Sequence, residues 1–179
     1  LFTAVYIFAG TMALASDPER WSSVNNVLQV IFSWQTLFSF LAFVSLAGIL
    51  TGGAIMFLFF SWNGGLEDMT GEYSLLVKKT AGTVAIWSSI LFPLFLMISY
   101  AYLPPSALSP DVFYYMVIVL LVSLIAGGFI YTMVKNSDTG SATIAFVLII
   151  VLVTFNIIKD QLAFGNAIHD NTLEIVKIA

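Results

Sequence analysis

Cysteine is absent from the 179 residues, and histidine occurs once, at position 169. The first absence excludes disulfides, thiolate-held iron-sulfur clusters, a C-x-x-C-H haem attachment and a thiol nucleophile from this chain. The second means that no pair of histidines from this chain alone clamps a haem iron or builds a multi-His metal site. Charge is scarce too. Only 9% of the residues are Asp, Glu, Lys or Arg, against about a quarter in an average soluble domain. The ten acidic residues outnumber the six basic ones, which argues against nucleic acid as a partner. Basic stripes and polybasic lipid-binding clusters are missing as well.

What fills the chain instead is apolar: 60% of it is hydrophobic, and the mean hydropathy is +1.00. The apolar residues form runs long enough to cross a hydrocarbon core of ~30 Å, which takes about 20 residues of helix. The expected fold class is therefore all-α: a polytopic integral membrane protein with about five transmembrane helices in an up-and-down bundle. Residues 1 to 160 read as the bundle, and 161 to 179 as an extramembrane tail that starts a further helix or domain.

The first apolar stretch, Leu1 to Ala15, is shorter than a span and reads as the visible part of a longer helix. A signal peptide fits less well, since no basic n-region precedes the apolar run. In Ser16-Asp17-Pro18-Glu19-Arg20, Ser16 or Asp17 can cap a helix with Pro18 at its first position. This predicts a short interfacial helix from about Pro18 to Asn25. The second span is placed at Leu37 to Phe60. Trp34 and Trp62 flank it twenty-eight residues apart, about 42 Å of helix, as aromatic anchors at the two interfaces. Asn63-Gly64-Gly65 is expected to end that helix.

A loop through Glu67, Asp68 and Glu72 reaches Lys78-Lys79. The third span, Thr80 to Leu103, contains Pro93, which removes a backbone donor and is expected to kink the helix near Ser89 and Ile90. The connection at 104 to 111 carries three prolines and no Lys or Arg, and Tyr100, Tyr102, Tyr114 and Tyr115 around it are expected at the headgroup layer. The fourth span is Val112 to Val134. A polar turn at 135 to 140 sends the fifth, Ser141 to Ile158, back antiparallel. Lys78 and Lys79 beside a span, set against the Lys/Arg-free loop at 104 to 111, place loops 63 to 79 and 135 to 140 in the cytoplasm. The tail is then on the outer side.

No ionisable residue lies within the dense cores of these spans, so an autonomous ion-coupled transporter is not expected. Gly48, Gly52 and Gly53 on the second span and Gly127-Gly128 on the fourth suit close helix approach. That approach serves either the chain's own bundle or a docking face for another subunit or a flat cofactor, and Ala81-Gly82 and Ala9-Gly10 are the complementary small positions. The sixteen Phe read first as lipid-facing and packing residues. His169 beside Asp170 has the make-up of a carboxylate-oriented ligand to haem or quinone, though a lone interfacial His also serves as an ordinary surface residue. Asn171-Thr172-Leu173-Glu174 reads as a capping box that opens a new helix. No nucleophile and base set, phosphate loop or metal-spaced carboxylate cluster is visible. Glu67, Asp68 and Glu72 come nearest and read as solvated acids.

Phe32-Ser33-Trp34-Gln35-Thr36-Leu37-Phe38-Ser39-Phe40, then Thr51-Gly52-Gly53-Ala54-Ile55-Met56-Phe57 and a short tail after the last span, resembles the multi-span membrane domain that precedes a C-terminal c-type cytochrome in bacterial electron-transfer proteins. The resemblance is one of layout over most of the chain, and the C-x-x-C-H of such proteins is not in it. It implies a non-catalytic membrane-anchoring subunit or domain of a respiratory or photosynthetic electron-transfer complex in a bacterial inner membrane. Any haem or quinone contact would be shared with redox subunits or a further domain. A structural or assembly subunit of another membrane complex and a small transporter or channel are the alternatives.

Overall fold

The structure is a computed structural model that describes residues 2 to 15, 17 to 21, 23 to 62 and 71 to 178. Its helices are α1 (Phe2–Ala15), α2 (Val27–Ile31), α3 (Trp34–Phe60), α4 (Glu72–Tyr100), α5 (Pro110–Asn136) and α6 (Thr139–Ile178), with single 3-10 turns at Pro18–Arg20 and Pro105–Ala107. The chain is an all-α membrane protein. Helices α3 to α6 are long and apolar enough to cross a membrane. The expected N-terminal span is α1, which is apolar but only 14 residues long, about 21 Å at 1.5 Å per residue.

Three expected boundaries move. The helix expected from Pro18 to Asn25 is a single turn, because the Asp17 carboxylate lies 3.8 Å from Arg20 and makes no cap hydrogen bond. The next helix is capped instead by Asn26, whose Oδ1 accepts the Leu28 N–H at 3.1 Å. Helix α4 starts at Glu72 rather than Thr80: an acid in its first turn suits the helix dipole, and no Gly or Pro interrupts the run to Lys79. Helix α6 does not end near Ile158, nor does a new helix open at Asn171. It runs unbroken through both positions, because tertiary contacts hold its later turns and the lone Gly165 costs only about 1 kcal/mol of helix propensity. The Asn63-Gly64-Gly65 stop and the acids Glu67 and Asp68 lie outside the described residues.

Two compact units divide the chain. The unit of Val44–Pro93 and Ile118–Thr154 is built on small residues. A Cβ on Gly52 would meet the Ala81 carbonyl oxygen and the Ala85 Cβ at 2.7 Å each, so α3 and α4 touch there nearly backbone to backbone. Gly48 faces Ser88, Gly53 faces Ile149, Gly82 faces Val134 and Gly127 faces Ser89. These pairs, with Phe57 stacked on Phe146 and Ser61 hydrogen-bonded to Thr143, run in opposite residue order on each helix pair. The neighbours α3/α4, α4/α5 and α3/α6 are therefore antiparallel. Met56, Phe60, Ala81, Met133 and Ala142 form one buried apolar cluster of this unit. Pro93 lies within α4, which continues through it.

The turn between α5 and α6 is only two residues long. Ser137 takes a left-handed φ of 55° and accepts a 2.6 Å hydrogen bond from Lys78. Asp138 then caps α6, accepting the Gly140 N–H at 3.1 Å and the Ser141 hydroxyl at 2.5 Å. The Ser141 hydroxyl holds this carboxyl below the usual carboxylate range.

In the other unit, α1 lays Ala9, Gly10 and Ala13 inward, with Gly10 against Thr36 and Val30. The Tyr6 hydroxyl donates to the Ile31 carbonyl at 2.7 Å, and Arg20 reaches Gln35 at 2.9 Å. Gly52→Leu is expected to lower the thermal midpoint of the purified protein by the equivalent of about 1–3 kcal/mol, as overpacking does. Gly128→Leu, on a face with nothing within 4 Å, is expected to leave it unchanged. Equal melting curves for both variants would remove Gly52 from the packing account.

Candidate functional site

The chemistry the structure brings together centres on Lys159, which is completely buried. It stands twenty residues into α6. An ammonium enclosed in this way costs several kcal/mol unless its donors are met. Here all are met. Lys159 Nζ donates to Asn156 Oδ1 at 2.9 Å, pairs with Asp160 Oδ1 at 3.1 Å and lies 4.5 Å from the centre of the Tyr100 ring. An ammonium has three donors, and an aromatic face serves as the third partner through its negative quadrupole.

The partners are tied to each other as well. Asn156 Nδ2 donates to Asp160 Oδ2 at 3.0 Å, and the Tyr100 hydroxyl donates to Asp160 Oδ1 at 3.4 Å. The Asp160 side chain is 55% exposed, so the carboxylate keeps contact with the surroundings of the helix while its partner is enclosed. Three of the four residues come from one and a half turns of α6, and the fourth is the last residue of α4. The cluster therefore pins α6 to the end of α4. With every ammonium donor engaged, it is a closed lock and not an open anion site.

Beyond the lock, α6 stays docked: Ala163 and Ala167 are buried, and Asn166 Nδ2 donates to Ser109 Oγ at 2.9 Å. Lys159 falls on the buried stripe Ala142, Ala145, Ile149, Leu152, Lys159, Ala163, at a position where an apolar residue is the rule. Ending the span at Ile158 counts Lys159 as a loop charge and hides the cluster. The signal that finds it is the alternating three- and four-residue spacing, which continues through Asn156 and Lys159.

The residues singled out from sequence scatter. Trp34, Trp62, Tyr102 and Tyr114 are exposed at or within a few residues of helix ends. Tyr115 is half-buried and packs on Phe155. Tyr100 is buried in the lock. Gly48, Gly52, Gly53 and Gly127 lie at helix contacts within the chain, whereas Gly128 faces outward. His169 is exposed on α6. Among the described residues no group of three His, Cys, Asp or Glu is placed to hold a metal ion.

Comparison with protein-family models, with curated proteins and with solved structures gives no match.

Lys159→Met, which keeps the length and removes the charge, is expected to leave the thermal midpoint unchanged or raised, as when buried ion pairs become apolar. Asp160→Ala strands the buried ammonium and is expected to lower it. Equal losses in both variants would contradict the lock.

Proposed function

We propose that this chain is a non-catalytic membrane-anchoring subunit or domain of an electron-transfer complex in a bacterial inner membrane. The observation that carries the reading is α6. Its 40 residues make about 60 Å of helix, against ~30 Å of hydrocarbon and ~40–45 Å with both headgroup layers. Even a tilt of about 40°, the upper end for transmembrane helices, leaves roughly 46 Å along the membrane normal. Asn166 still packs on the connection at 104 to 111 through Ser109, and the turns of α6 beyond it are the ones that project from the membrane as a stalk. A stalk of this kind suits the carriage of a partner at the membrane surface.

The partner class comes from the resemblance to membrane domains that precede a c-type cytochrome. His169 lies ten residues beyond Lys159, on the stalk, and the described residues give it no companion ligands. Haem or quinone chemistry in this reading belongs to the partner, and the anchor's part is to hold that partner within reach of membrane-confined donors and acceptors. The loops at 63 to 79 and 135 to 140 are then cytoplasmic and the stalk is on the outer side, where c-type haem is attached.

The test is an intact mass of the native polypeptide from its own membranes, with an absorption spectrum of whatever purifies with it. Covalent haem on a longer polypeptide, or on a tightly held partner, is the expected result, and His169→Ala should leave that haem band unchanged. A mass near 19.6 kDa with no chromophore and no redox partner would overturn the reading.

A further inference from the structure

Helix α6 carries a second stripe besides the buried one. Ile157, Gln161, Phe164 and Ile168 are all exposed and follow one another at intervals of four, three and four residues, the spacing of a coiled-coil seam. They lie about a third of a turn around the helix from Lys159, Ala163 and Ala167, which are buried against the rest of the chain. By sequence the same register continues at Asn171, Ile175 and Ile178, within a helix that runs unbroken to Ile178.

Three features of this stripe are left without a purpose inside one copy of the chain. Gln161 presents an amide between Ile157 and Phe164, and its side chain has no hydrogen-bond partner among the described residues. Gly165 flanks the seam with nothing within 4 Å of the place its Cβ would take, so no contact within the chain accounts for a glycine in mid-helix. Ile168 lies beyond the Asn166 to Ser109 contact, in the turns that project from the membrane. Lipid covers an exposed apolar side chain without loss and water does not, so from Ile168 onward the stripe calls for a protein cover.

We propose that this cover is a second copy of the chain, its α6 parallel to the first, so that the projecting turns pair as a two-stranded coiled coil. A parallel two-fold pairing sets the two Gln161 side chains against each other. An amide holds both donors and an acceptor, so the pair satisfies itself. The pairing also sets Asp160, beside the seam, against Gly165 of the other copy rather than against a second acid, and the glycine admits close approach there. A different partner helix would have to reproduce the seam spacing, the amide and the level at which lipid gives way to water. A second α6 does all three by symmetry. The pairing rests on the projection of α6 in the anchor reading and is independent of any haem.

The absence of native cysteine lets single cysteines test this in the full chain, in its own membranes, with copper-phenanthroline as oxidant. Gln161→Cys and Ile168→Cys, on the seam, are expected to form disulfide-linked dimers. His169→Cys, exposed one residue further on and about 100° around the helix, is expected to form none. Native mass spectrometry of the unsubstituted chain is expected to show two copies, and that of the Phe164→Glu, Ile168→Glu double variant one. A two-copy mass without haem would leave the pairing standing while the redox reading falls. A single copy in the unsubstituted chain would overturn the pairing. So would a cross-link from His169→Cys as strong as that from Ile168→Cys, or seam cysteines that join only to a different polypeptide.

Discussion

A lysine ammonium enclosed within an apolar helix bundle must find partners for its three donors or leave. Lys159 finds them in Asn156, Asp160 and the Tyr100 ring, and the search fixes much else. The Asn156 and Asp160 partners lie on α6 itself and require that helix to be intact on both sides of the lysine. The aromatic partner is the last residue of α4, which sets the level at which α6 passes that helix end. Charge neutrality comes from Asp160, still half in contact with its surroundings, so the pair avoids the full desolvation of two buried ions. Beyond this point α6 remains packed through Ala163, Asn166 and Ala167, so the lysine cluster is one of several contacts that hold its second half.

The unit containing Gly52 rests on different physics. Lipid tails are as apolar as Leu or Ile, so no hydrophobic effect drives one span against another, and close packing must do it. That is why the contacts between α3, α4, α5 and α6 fall at Gly48, Gly52, Gly53, Gly82 and Gly127 and at serines and alanines. The same economy of side chains has a second consequence. Where Gly52 brings two backbones together, the larger residues on either side hold the helices apart, and the trough between them opens to lipid.

The number and approximate placement of the long helices were legible in the sequence, because twenty apolar residues in a row admit few other structures in a helical membrane protein. Helix ends were less legible. The Asp17-Pro18 pattern promised a cap, but the carboxylate was drawn to Arg20, and Asn26 took the capping role one segment later. The capping box at Asn171 was a local signal overridden by the tertiary contacts of Ala163, Asn166 and Ala167. Which face of each span is buried could not be read from hydrophobicity, since lipid-facing and core-facing positions are equally apolar. The small and polar residues mark it instead: Ala85, Ser89, Ser123, Ala126, Ala142 and Ala145 are all inward. Gly127 and Gly128 looked equivalent in sequence, and a rotation of about 100° per residue turned one to Ser89 and the other outward. Lys159 is not legible as a core residue when the span is taken to end at Ile158, because the helix runs on well past it.

Helix α6 is continuous from Thr139 to Ile178, and because these 179 residues hold no cysteine, single cysteines placed on it report where it lies in lipid and where in water. Val147 and Thr172 are both exposed on the surface of α6, so only lipid can shield one from the other's fate. Single Val147→Cys and Thr172→Cys variants in sealed vesicles, treated with a membrane-impermeant maleimide, separate the two. Labelling of the Thr172→Cys variant from one side, with the Val147→Cys variant unreactive until detergent is added, is the predicted result. Equal protection of both positions in intact vesicles of either orientation would contradict the account.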